Sequence, residues 1–471
     1  IANLLGGEII ETNNSNDQSL LNLDAFGNQW GWQRSGNIRN WSKLVIKQAK
    51  NKEIFCKQLS GNTLWKNSES GEIINQINEG EIKKPDSTFH VSIFEDHETT
   101  WHPPVLWIGI GCERYTSKEL IANSLNNLLE SRNLSKYSIA GLTTVDIKKD
   151  EKGILELAKE KNLPIKFFSK EDLSTIIVPN PSSVVEKEIG TPSVAEASCL
   201  LAAGEESKLL EEKRIFKNQS GAVTIAVAES KNQYNPTHGE IHIIGSGPGD
   251  ISFLTNHAKK ALSRCTVWIG YKMYLDLIKT LKRSDQVLIE SKLTEEKERC
   301  SKAIKLAEEG IKVAIISSGE SGFYGMAGLL LELLQKIKKE YRPYFEVHPG
   351  ISSVQLAAAI SGAPLMNDFC SISLSDKLTP WSLIEKRIEG ALVGDFVIAL
   401  FNPQSIARNW QLKSVIDICL KARHWDTPVL IARQVGRENQ SKKFFTLNTI
   451  PFKEIDMLSI IIIGNSQTTL S

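Results

Sequence analysis

Three closely spaced glycines lie near the middle of the chain, at the end of an apolar segment. They are Gly245, Gly247 and Gly249, in the run Ile-His-Ile-Ile-Gly-Ser-Gly-Pro-Gly-Asp at 241–250. Glycines between a strand and a helix let a ligand approach the backbone more closely than a side chain would allow. The chemistry that this pattern predicts is ligand binding by backbone groups, although a plain tight turn uses the same residue types.

The spacing of these glycines argues against two common nucleotide-binding loops. A dinucleotide fold requires G-x-G-x-x-G, but the third glycine position holds Asp250. A P-loop requires Gly-Lys-Ser/Thr at its end, and this triplet does not follow. A nicotinamide oxidoreductase is therefore disfavoured.

A strand and a helix must hold this loop. Ile241, Ile243 and Ile244 predict a short buried strand before it. Thr255 is a suitable N-cap for the following helix, because its hydroxyl can accept a hydrogen bond from an amide of the first turn. The segment 266–269 predicts the next strand.

The same arrangement recurs along the C-terminal half of the chain. Apolar strands are followed by turns that contain glycine or asparagine, and these turns lie near 317–327, 348–353, 401–403, 434–437 and 464–465. Ligands of open α/β sheets bind outside the carboxyl ends of the strands. Five such turns in one region therefore predict a ligand crevice.

Taken together, these segments resemble the tetrapyrrole methylase family over residues 240–471. The motifs that carry the resemblance are Gly-x-Gly-Pro-Gly-Asp at 245–250, Tyr-Gly-Met-Ala at 324–327, Pro-Gly-Ile-Ser-Ser at 349–353 and Phe-Asn-Pro at 401–403. Three further segments, 270–274, 373–381 and 432–437, are similar to the branch that methylates precorrin-3B at C-17 and contracts the macrocycle. The resemblance implies two lobes, 240–347 and 350–471, which hold S-adenosylmethionine and a tetrapyrrole between them.

The resemblance also implies site residues. The cofactor positions are Gly245, Gly247, Pro248, Gly249, Ser318, Gly319, Glu320, Phe323, Ser352, Ser353, Phe401, Asn402 and Val435. The 245–250 loop is expected to face the tetrapyrrole. The carboxylate side chains of the tetrapyrrole suit the cations Lys272, Arg433 and Arg437. Ordinary surface charge is the competing interpretation of these three residues. Asp250 is the candidate acid–base residue of ring contraction, and its alternative role is to cap the loop.

Two positions depart from the family pattern. Glu320 occupies a position that is usually Asp, and Ser321 one that is usually Pro or similar. Glu320 keeps the charge and adds a methylene group. A methyl sulfonium is already a strong electrophile, so the expected task of the site is to hold donor and acceptor carbons in line.

A second α/β region precedes the methylase-like part. Strands near 105–112, 138–142, 165–168 and 223–227 alternate with helices near 117–130 and 151–161, which predicts a parallel sheet. Ser117 is the expected cap of the first helix. The motifs at 109–114, 143–148 and 190–198 resemble the C-terminal domain of the CbiG family, the cobalt-precorrin-5A hydrolases, over 105–229.

The remaining segments are harder to interpret. Residues 1–65 resemble a remnant of the preceding CbiG region, while 66–104 and 230–239 have the polar composition of linkers. The first residue is Ile1, within an apolar helical pattern, so we expect natural residues before it. Because the front of the hydrolase family is absent, no hydrolytic site is assigned. Glu113, Arg114 and Glu196 have either a structural or a functional role.

Side chains of the first hundred residues offer two further patterns. The tryptophans at 30, 32, 41 and 65 fit a small core better than an aromatic binding surface. The histidines at 90, 97 and 102 fit solvated loop positions better than a metal site.

Composition limits the function classes. The chain has 471 residues, a net charge of +1 and 41% hydrophobic residues, which gives no indication of nucleic-acid or membrane binding. Its seven cysteines are scattered and odd in number, which favours a reducing compartment, the cytoplasm, over a disulfide framework. No resident metal is predicted.

We therefore expect a multidomain α/β protein with a two-lobed methylase at its C-terminus and a small CbiG-like α/β domain before it. The predicted function is S-adenosylmethionine-dependent C-methylation of a corrin precursor by a homodimer. The alternatives are a bifunctional methyltransferase and hydrolase, or a non-catalytic tetrapyrrole-binding scaffold.

Overall fold

The structure is a computed structural model, and it describes residues 20–78, 86–95, 98–219, 221–405 and 408–470. These residues form four five-stranded sheets with helices packed against them, an α/β fold. The apolar helical pattern predicted at the first residues, and His97, lie outside the described residues. Within the described ranges, no helix combines the length and the apolarity needed to cross a bilayer.

The first sheet has the strand order β1-β5-β4-β2-β3. Its strands are β1 (Gln33–Ser35), β2 (Phe55–Gln58), β3 (Asn75–Gln76), β4 (Thr88–Val91) and β5 (Thr100–His102). The accompanying helices are α1 (Phe26–Gln29), α2 (Ile38–Ala49) and α3 (Glu69–Glu72).

The segment 66–104 is therefore not a linker, which corrects the sequence prediction. It supplies β3, β4 and β5 of the first sheet, and Phe89, Val91 and Trp101 are fully buried there. The polar residues that flank these short apolar strands concealed them. His90 in β4 and His102 in β5 are also buried rather than solvated, which corrects the prediction for both. The His102 ring nitrogens contact the Ser92 carbonyl oxygen at 2.8 Å and the Ser35 hydroxyl at 2.7 Å.

The tryptophans of this region form a core, as predicted. Trp30, Trp41 and Trp65 are buried, and they share one apolar cluster with Ile315 and Leu330 of the third sheet and its helices. The first sheet is thus packed directly against the methylase-like part of the chain.

The second sheet has the order β8-β7-β6-β10-β9. Its strands are β6 (Leu106–Cys112), β7 (Ile139–Val145), β8 (Ile165–Phe168), β9 (Lys208–Asn218) and β10 (Gly221–Glu229). Its helices are α4 (Lys118–Ser131), α5 (Lys152–Lys161), α6 (Lys170–Ser174), α7 (Ser183–Ile189) and α8 (Ala195–Ala203).

This second sheet is mixed, so the prediction of a parallel sheet was wrong at one edge. Strands β6, β7 and β8 are parallel, whereas β10 pairs antiparallel with both β6 and β9. The sequence analysis missed β9 because this edge strand is rich in charged residues. The Ser117 cap is confirmed, since its hydroxyl accepts a hydrogen bond from the Leu120 amide at 3.2 Å.

The third sheet is entirely parallel, in the order β13-β12-β14-β11-β15. Its strands are β11 (Glu240–Gly245), β12 (Val267–Tyr271), β13 (Val287–Ser291), β14 (Lys312–Ser317) and β15 (Tyr344–His348). Its helices are α9 (Asn256–Arg264), α10 (Lys272–Ile278), α11 (Glu296–Glu308) and α12 (Ala327–Leu334). Thr255 caps α9 as predicted, because its hydroxyl accepts from the Ala258 amide at 3.1 Å.

The fourth sheet has the order β16-β17-β20-β18-β19. Its strands are β16 (Phe369–Ser373), β17 (Val397–Phe401), β18 (Pro428–Arg433), β19 (Ser441–Thr446) and β20 (Ser459–Ile463). Its helices are α13 (Ser353–Ile360), α14 (Trp381–Val393) and α15 (Gln411–Ala422). Only β16 and β17 are parallel, and the other pairs are antiparallel.

Candidate functional site

A cleft lies between the third and fourth sheets, where the turns after their strands meet. The lining residues are Pro248, Tyr274, Ser318, Gly319, Glu320, Phe323, Tyr324, Ser352, Ser353, Phe401, Asn402, Gln434, Val435, Arg437 and 457–460. Turns after β11, β14, β15, β17 and β18 all contribute. The structure therefore brings the loop after β11 and four of the five predicted turns around one space, whereas the predicted turn at 464–465 lies outside the lining.

The glycine loop after β11 connects the two sheets. Gly247 and Gly319 exchange two backbone hydrogen bonds of 3.1 and 2.8 Å, and the Asp250 amide donates to the Gly436 carbonyl at 2.6 Å. A Cβ atom on Gly249 would lie 2.2 Å from that same carbonyl oxygen. Glycine is required because backbones pack against each other here. From this loop Pro248 reaches the cleft lining, whereas Gly245, Gly247 and Gly249 lie behind it.

Four residues around the cleft have left-handed backbone conformations. Gly319 has φ +65°, and Tyr324, Asn402 and Gln434 have φ between 51° and 56°. In a residue with a Cβ this conformation costs about 1 kcal/mol. Such strain concentrates at ligand-binding sites, where the surrounding structure holds it in place.

The aromatic wall of the cleft joins the two sheets. The Tyr324 hydroxyl donates to the Ser371 carbonyl oxygen at 2.9 Å, and its ring lies 5.2 Å from the Phe401 ring. Sequence reasoning named Phe323 but missed Tyr324. The adjacent position in the same motif was the available signal.

Other lining residues were also missed. Gln434 and Tyr274 lie inside the recognised segments 432–437 and 270–274, whereas 457–460 carry no local signal. Burial raises the pKa of Tyr274, so its phenol stays protonated at neutral pH.

The polar residues after β14 and β15 are held by local hydrogen bonds. The Glu320 carboxylate accepts from the Gly322 amide, and this contact folds the longer side chain back on its own turn. Ser352 forms a capping box with Gln355 at the start of α13, in which the Ser352 amide donates to the Gln355 side chain at 2.8 Å. These contacts fix the backbone that faces the cleft.

The three predicted substrate-binding cations lie in different places. Arg437 lines the cleft, and its Nε donates to the Pro248 carbonyl at 3.3 Å. Lys272 instead pairs with Glu290 at 2.8 Å, and Arg433 pairs with Asp456 at 2.6 Å. Across the described residues, no carboxylate lies within 4.0 Å of the Arg437 guanidinium. Arg437 alone combines a position in the cleft with an uncompensated charge.

Asp250 lies outside the cleft lining. Its carboxylate accepts from the Ser252 amide at 2.7 Å and so begins the short turn at 251–253. Hydrogen bonds from the side chain and from the amide of Ser252 hold the pKa of Asp250 below its usual range, and a low pKa makes a carboxylate a weak base.

The second sheet has its own candidate residues. Glu196 is fully buried and accepts from the Asn180 side chain at 2.9 Å and from the Lys213 amide at 3.1 Å. Arg114 pairs with Asp150 at 2.6 Å at the mouth of a cavity of about 500 Å³, which Glu113 also lines. Glu196 is thus satisfied within the fold, whereas Arg114 and Glu113 border open space.

Two family models match the chain. The model described as Cobalamin synthesis G C-terminus covers residues 106–228, and the model of Tetrapyrrole (Corrin/Porphyrin) Methylases covers 240–451. These matches confirm both resemblances that the motifs indicated.

Similar proteins match the C-terminal half. A "Probable cobalt-factor III C(17)-methyltransferase" of Salmonella typhimurium is 43% identical over 48% of this chain and 93% of its own length. A "Precorrin-3B C(17)-methyltransferase" of a Sinorhizobium species is 34% identical over 49% of this chain and 91% of its own. A "Cobalt-factor III methyltransferase" of Priestia megaterium is 44% identical over 49% of this chain, but the match spans only 43% of that protein.

The cleft, the motifs and near-complete coverage of two relatives agree. The chain belongs to the tetrapyrrole methylase family of S-adenosylmethionine-dependent methyltransferases.

Proposed function

We propose that the chain methylates a corrin precursor at C-17, with contraction of the macrocycle, in cobalamin biosynthesis. The substrate is precorrin-3B or its cobalt form, in line with the names of the Salmonella and Sinorhizobium relatives. The observation that carries the proposal is the cleft, because residues of the methylase motifs line it from both sheets.

The cleft fits the cofactor at the motif positions. A Cβ built on Gly319 would meet no atom closer than 3.9 Å, so this turn borders open space rather than packed protein. Ser318, Gly319, Ser352 and Ser353 would position the cofactor, with Phe401, Asn402 and Val435 beside the adenosyl group. Bound S-adenosylmethionine supplies an electrophilic methyl group. The protein's task is then to align donor and acceptor carbons and to exclude water.

Arg437 is the proposed contact for a substrate carboxylate. Its guanidinium lies in the cleft and has no carboxylate partner among the described residues. An arginine suits this role, because its planar donors match the two oxygens of a carboxylate. We assign Lys272 and Arg433 to structural ion pairs instead. For Asp250 we propose the capping role in place of acid–base catalysis.

The rest of the chain is proposed to form a CbiG-like module at 105–229, preceded by a remnant of that family at its N-terminal end. Tethering the module to the methylase would raise the local concentration of a shared intermediate. We further propose a homodimer in the cytoplasm. Hydrolysis by the module is the second candidate activity, and the cavity beside Glu113 and Arg114 is the observation that favours it.

Calorimetric titration of the full chain with S-adenosylmethionine tests the methyltransferase proposal. We expect a micromolar dissociation constant, about −8 kcal/mol, for the native protein. Gly319→Arg should abolish binding by filling the cleft. Gly319→Ala is the matched control, because it carries the same backbone strain without the bulk.

Methyl transfer is then measured with precorrin-3B and with its cobalt form. Product methylated at C-17 is the expected result. A folded protein that binds no S-adenosylmethionine would refute the proposal and favour the scaffold.

A further inference from the structure

A cluster of histidines and glutamates lies on the third sheet, outside the cleft lining. Its members are Glu240 and His242 on β11, Glu346 and His348 on β15, and His257 on α9. Because β11 and β15 are parallel neighbours, His242 lies opposite Glu346 in register. His348 is two residues further along β15 and so lies on the same face as Glu346.

Two of the rings are deeply buried. The His242 and His348 side chains are 1% and 2% exposed, whereas Glu346 is 31% exposed. Buried polar groups of this kind require partners. A metal ion binds an imidazole nitrogen that carries no proton.

Three atoms of the cluster form a triangle of suitable size for a metal ion. His242 Nδ1 lies 2.9 Å from His348 Nε2, and these atoms lie 3.8 and 3.7 Å from the same oxygen, Glu346 Oε2. The point equidistant from the three atoms is about 2.0 Å from each. Zinc bonds to imidazole nitrogen and carboxylate oxygen are about 2.0–2.2 Å long.

The other ring nitrogens of the cluster have hydrogen-bond partners of their own, which leaves the three atoms of the triangle available to a metal. His242 Nε2 lies 2.8 Å from Glu240 Oε2. A carboxylate oxygen accepts, so Nε2 carries the proton of this ring and Nδ1 has a free lone pair. His348 Nδ1 contacts His257 Nδ1 at 3.2 Å, and His257 Nε2 lies 3.4 Å from Glu346 Oε1.

One proton on each of His348 Nδ1 and His257 Nε2 satisfies these two contacts and leaves a lone pair on His348 Nε2, facing that of His242 Nδ1. Metal-binding histidines generally have such an outer partner, often a carboxylate. Without a metal, a proton must instead lie between His242 Nδ1 and His348 Nε2.

The surrounding charges fit a bound cation. Glu240 is held by Lys312 at 2.5 Å and Arg264 at 3.0 Å, so its charge is already compensated. Among the described residues, the only basic side chains within 4.0 Å of the Glu346 carboxylate are histidines, which the proposed site uses in their neutral form. A cation between Glu346 and the two buried rings would supply the missing positive charge.

We propose that His242, Glu346 and His348 bind one divalent transition-metal ion, Zn²⁺ or an ion with the same preference for imidazole and carboxylate. Water completes a four-coordinate site. The ion ties the edge strand β15 to β11 and thereby stabilises the lobe that bears the glycine loop. The site has no part in methyl transfer.

The experiment uses the untagged full chain, freed of metal with a chelator and titrated with Zn²⁺ by calorimetry. We expect one equivalent to bind, and Co²⁺ to give the visible absorption of a four-coordinate complex with nitrogen and oxygen ligands. His348→Gln and Glu346→Gln should each weaken binding by at least about 100-fold. Glu240→Gln should weaken it by about 10- to 100-fold, because it removes only an outer partner.

His424→Gln is the matched control, since His424 is an exposed histidine outside the cluster. It should bind Zn²⁺ as the native protein does. Zn²⁺ should also raise the melting temperature of the native chain and of this control, but not that of Glu346→Gln. Glu346 is partly exposed, so this variant is informative even if His348→Gln fails to fold. Unchanged affinity in a folded Glu346→Gln variant, or no binding by the native chain, would overturn the proposal and leave a metal-free histidine relay.

Discussion

The second sheet and the cleft use a glycine in or just after an apolar strand for opposite purposes. In β6, a Cβ atom on Gly109 would lie 1.8 Å from the Ala195 carbonyl oxygen, so helix α8 occupies the space that the glycine leaves. After β14, a Cβ atom on Gly319 would meet nothing closer than 3.9 Å. The two segments look alike in the sequence. A glycine beside an apolar run therefore indicates that something approaches the backbone closely, but not whether it is protein or ligand.

The polar residues of the two regions differ in the same way. Glu196, beside Gly109 in the fold, is buried and fully engaged by Asn180 and Lys213. Arg437 faces the cleft with no carboxylate partner among the described residues. The polar group beside Gly109 is thus used within the fold, whereas the charge of Arg437 remains available to a ligand.

The largest expected effect is on the stability of the second sheet. Gly109→Ala forces a methyl group into the backbone of α8, and we expect a loss of about 3 kcal/mol in the free energy of unfolding. Gly319→Ala should cost about 1 kcal/mol, from backbone strain alone. Urea unfolding followed by circular dichroism measures both. Equal losses would contradict the distinction between a packed and an open glycine.

The second largest effect is expected for Arg437, the cation of the cleft that has no carboxylate partner among the described residues. Arg437→Ala should raise KM for the tetrapyrrole about 10- to 100-fold, because a hydrogen bond to a charged group contributes about 1.5–3 kcal/mol. Lys272→Ala and Arg433→Ala are the controls and should leave KM within a factor of about two, since exposed ion pairs contribute little. Steady-state kinetics at saturating S-adenosylmethionine would decide. If Lys272→Ala raised KM more than Arg437→Ala, the substrate carboxylate would instead lie beside Lys272, at the start of α10.

The helix caps should behave alike in the two regions. Thr255→Ala and Ser117→Ala each remove one hydrogen bond to a first-turn amide and should cost about 1 kcal/mol of stability. Only Thr255→Ala should also change S-adenosylmethionine affinity, because α9 follows the glycine loop. Thr255→Ser keeps the hydroxyl and should restore both values. Unequal stability costs would show that tertiary packing, rather than the cap, holds one of these helices.

The smallest effect is expected for Asp250→Asn. Hydrogen bonds from the side chain and the amide of Ser252 lower the pKa of this carboxylate in the folded state. The contribution of Asp250 to stability is therefore present above the ordinary Asp pKa and is lost as pH falls through the folded-state pKa. The stability difference between the native chain and Asp250→Asn should therefore exist at neutral pH and vanish in strong acid. Turnover should change less than about threefold. A loss of turnover beyond about 100-fold would restore Asp250 as the acid–base residue.

Local chemistry explains what was predicted correctly. Ser117 and Thr255 were recognised as caps because the hydrogen bond that an amide donates to a hydroxyl three residues earlier needs no tertiary context. The edge strand β9 was missed, since its charged residues mask the alternation that marks a strand. The strands of 66–104 were missed for a related reason, because each is too short to show a period.

The sequence alone was enough to indicate the family, the turns that surround the cleft and most of the residues that line it. Motifs of adjacent residues carry this information, because their backbone conformations are local. Only the tertiary structure decided that Arg437 faces the cleft while Arg433 pairs with Asp456. It alone brought His242 to His348, which lies 106 residues away. Such contacts depend on the register of paired strands and on the packing of helices over them, and no spacing along the chain encodes either directly.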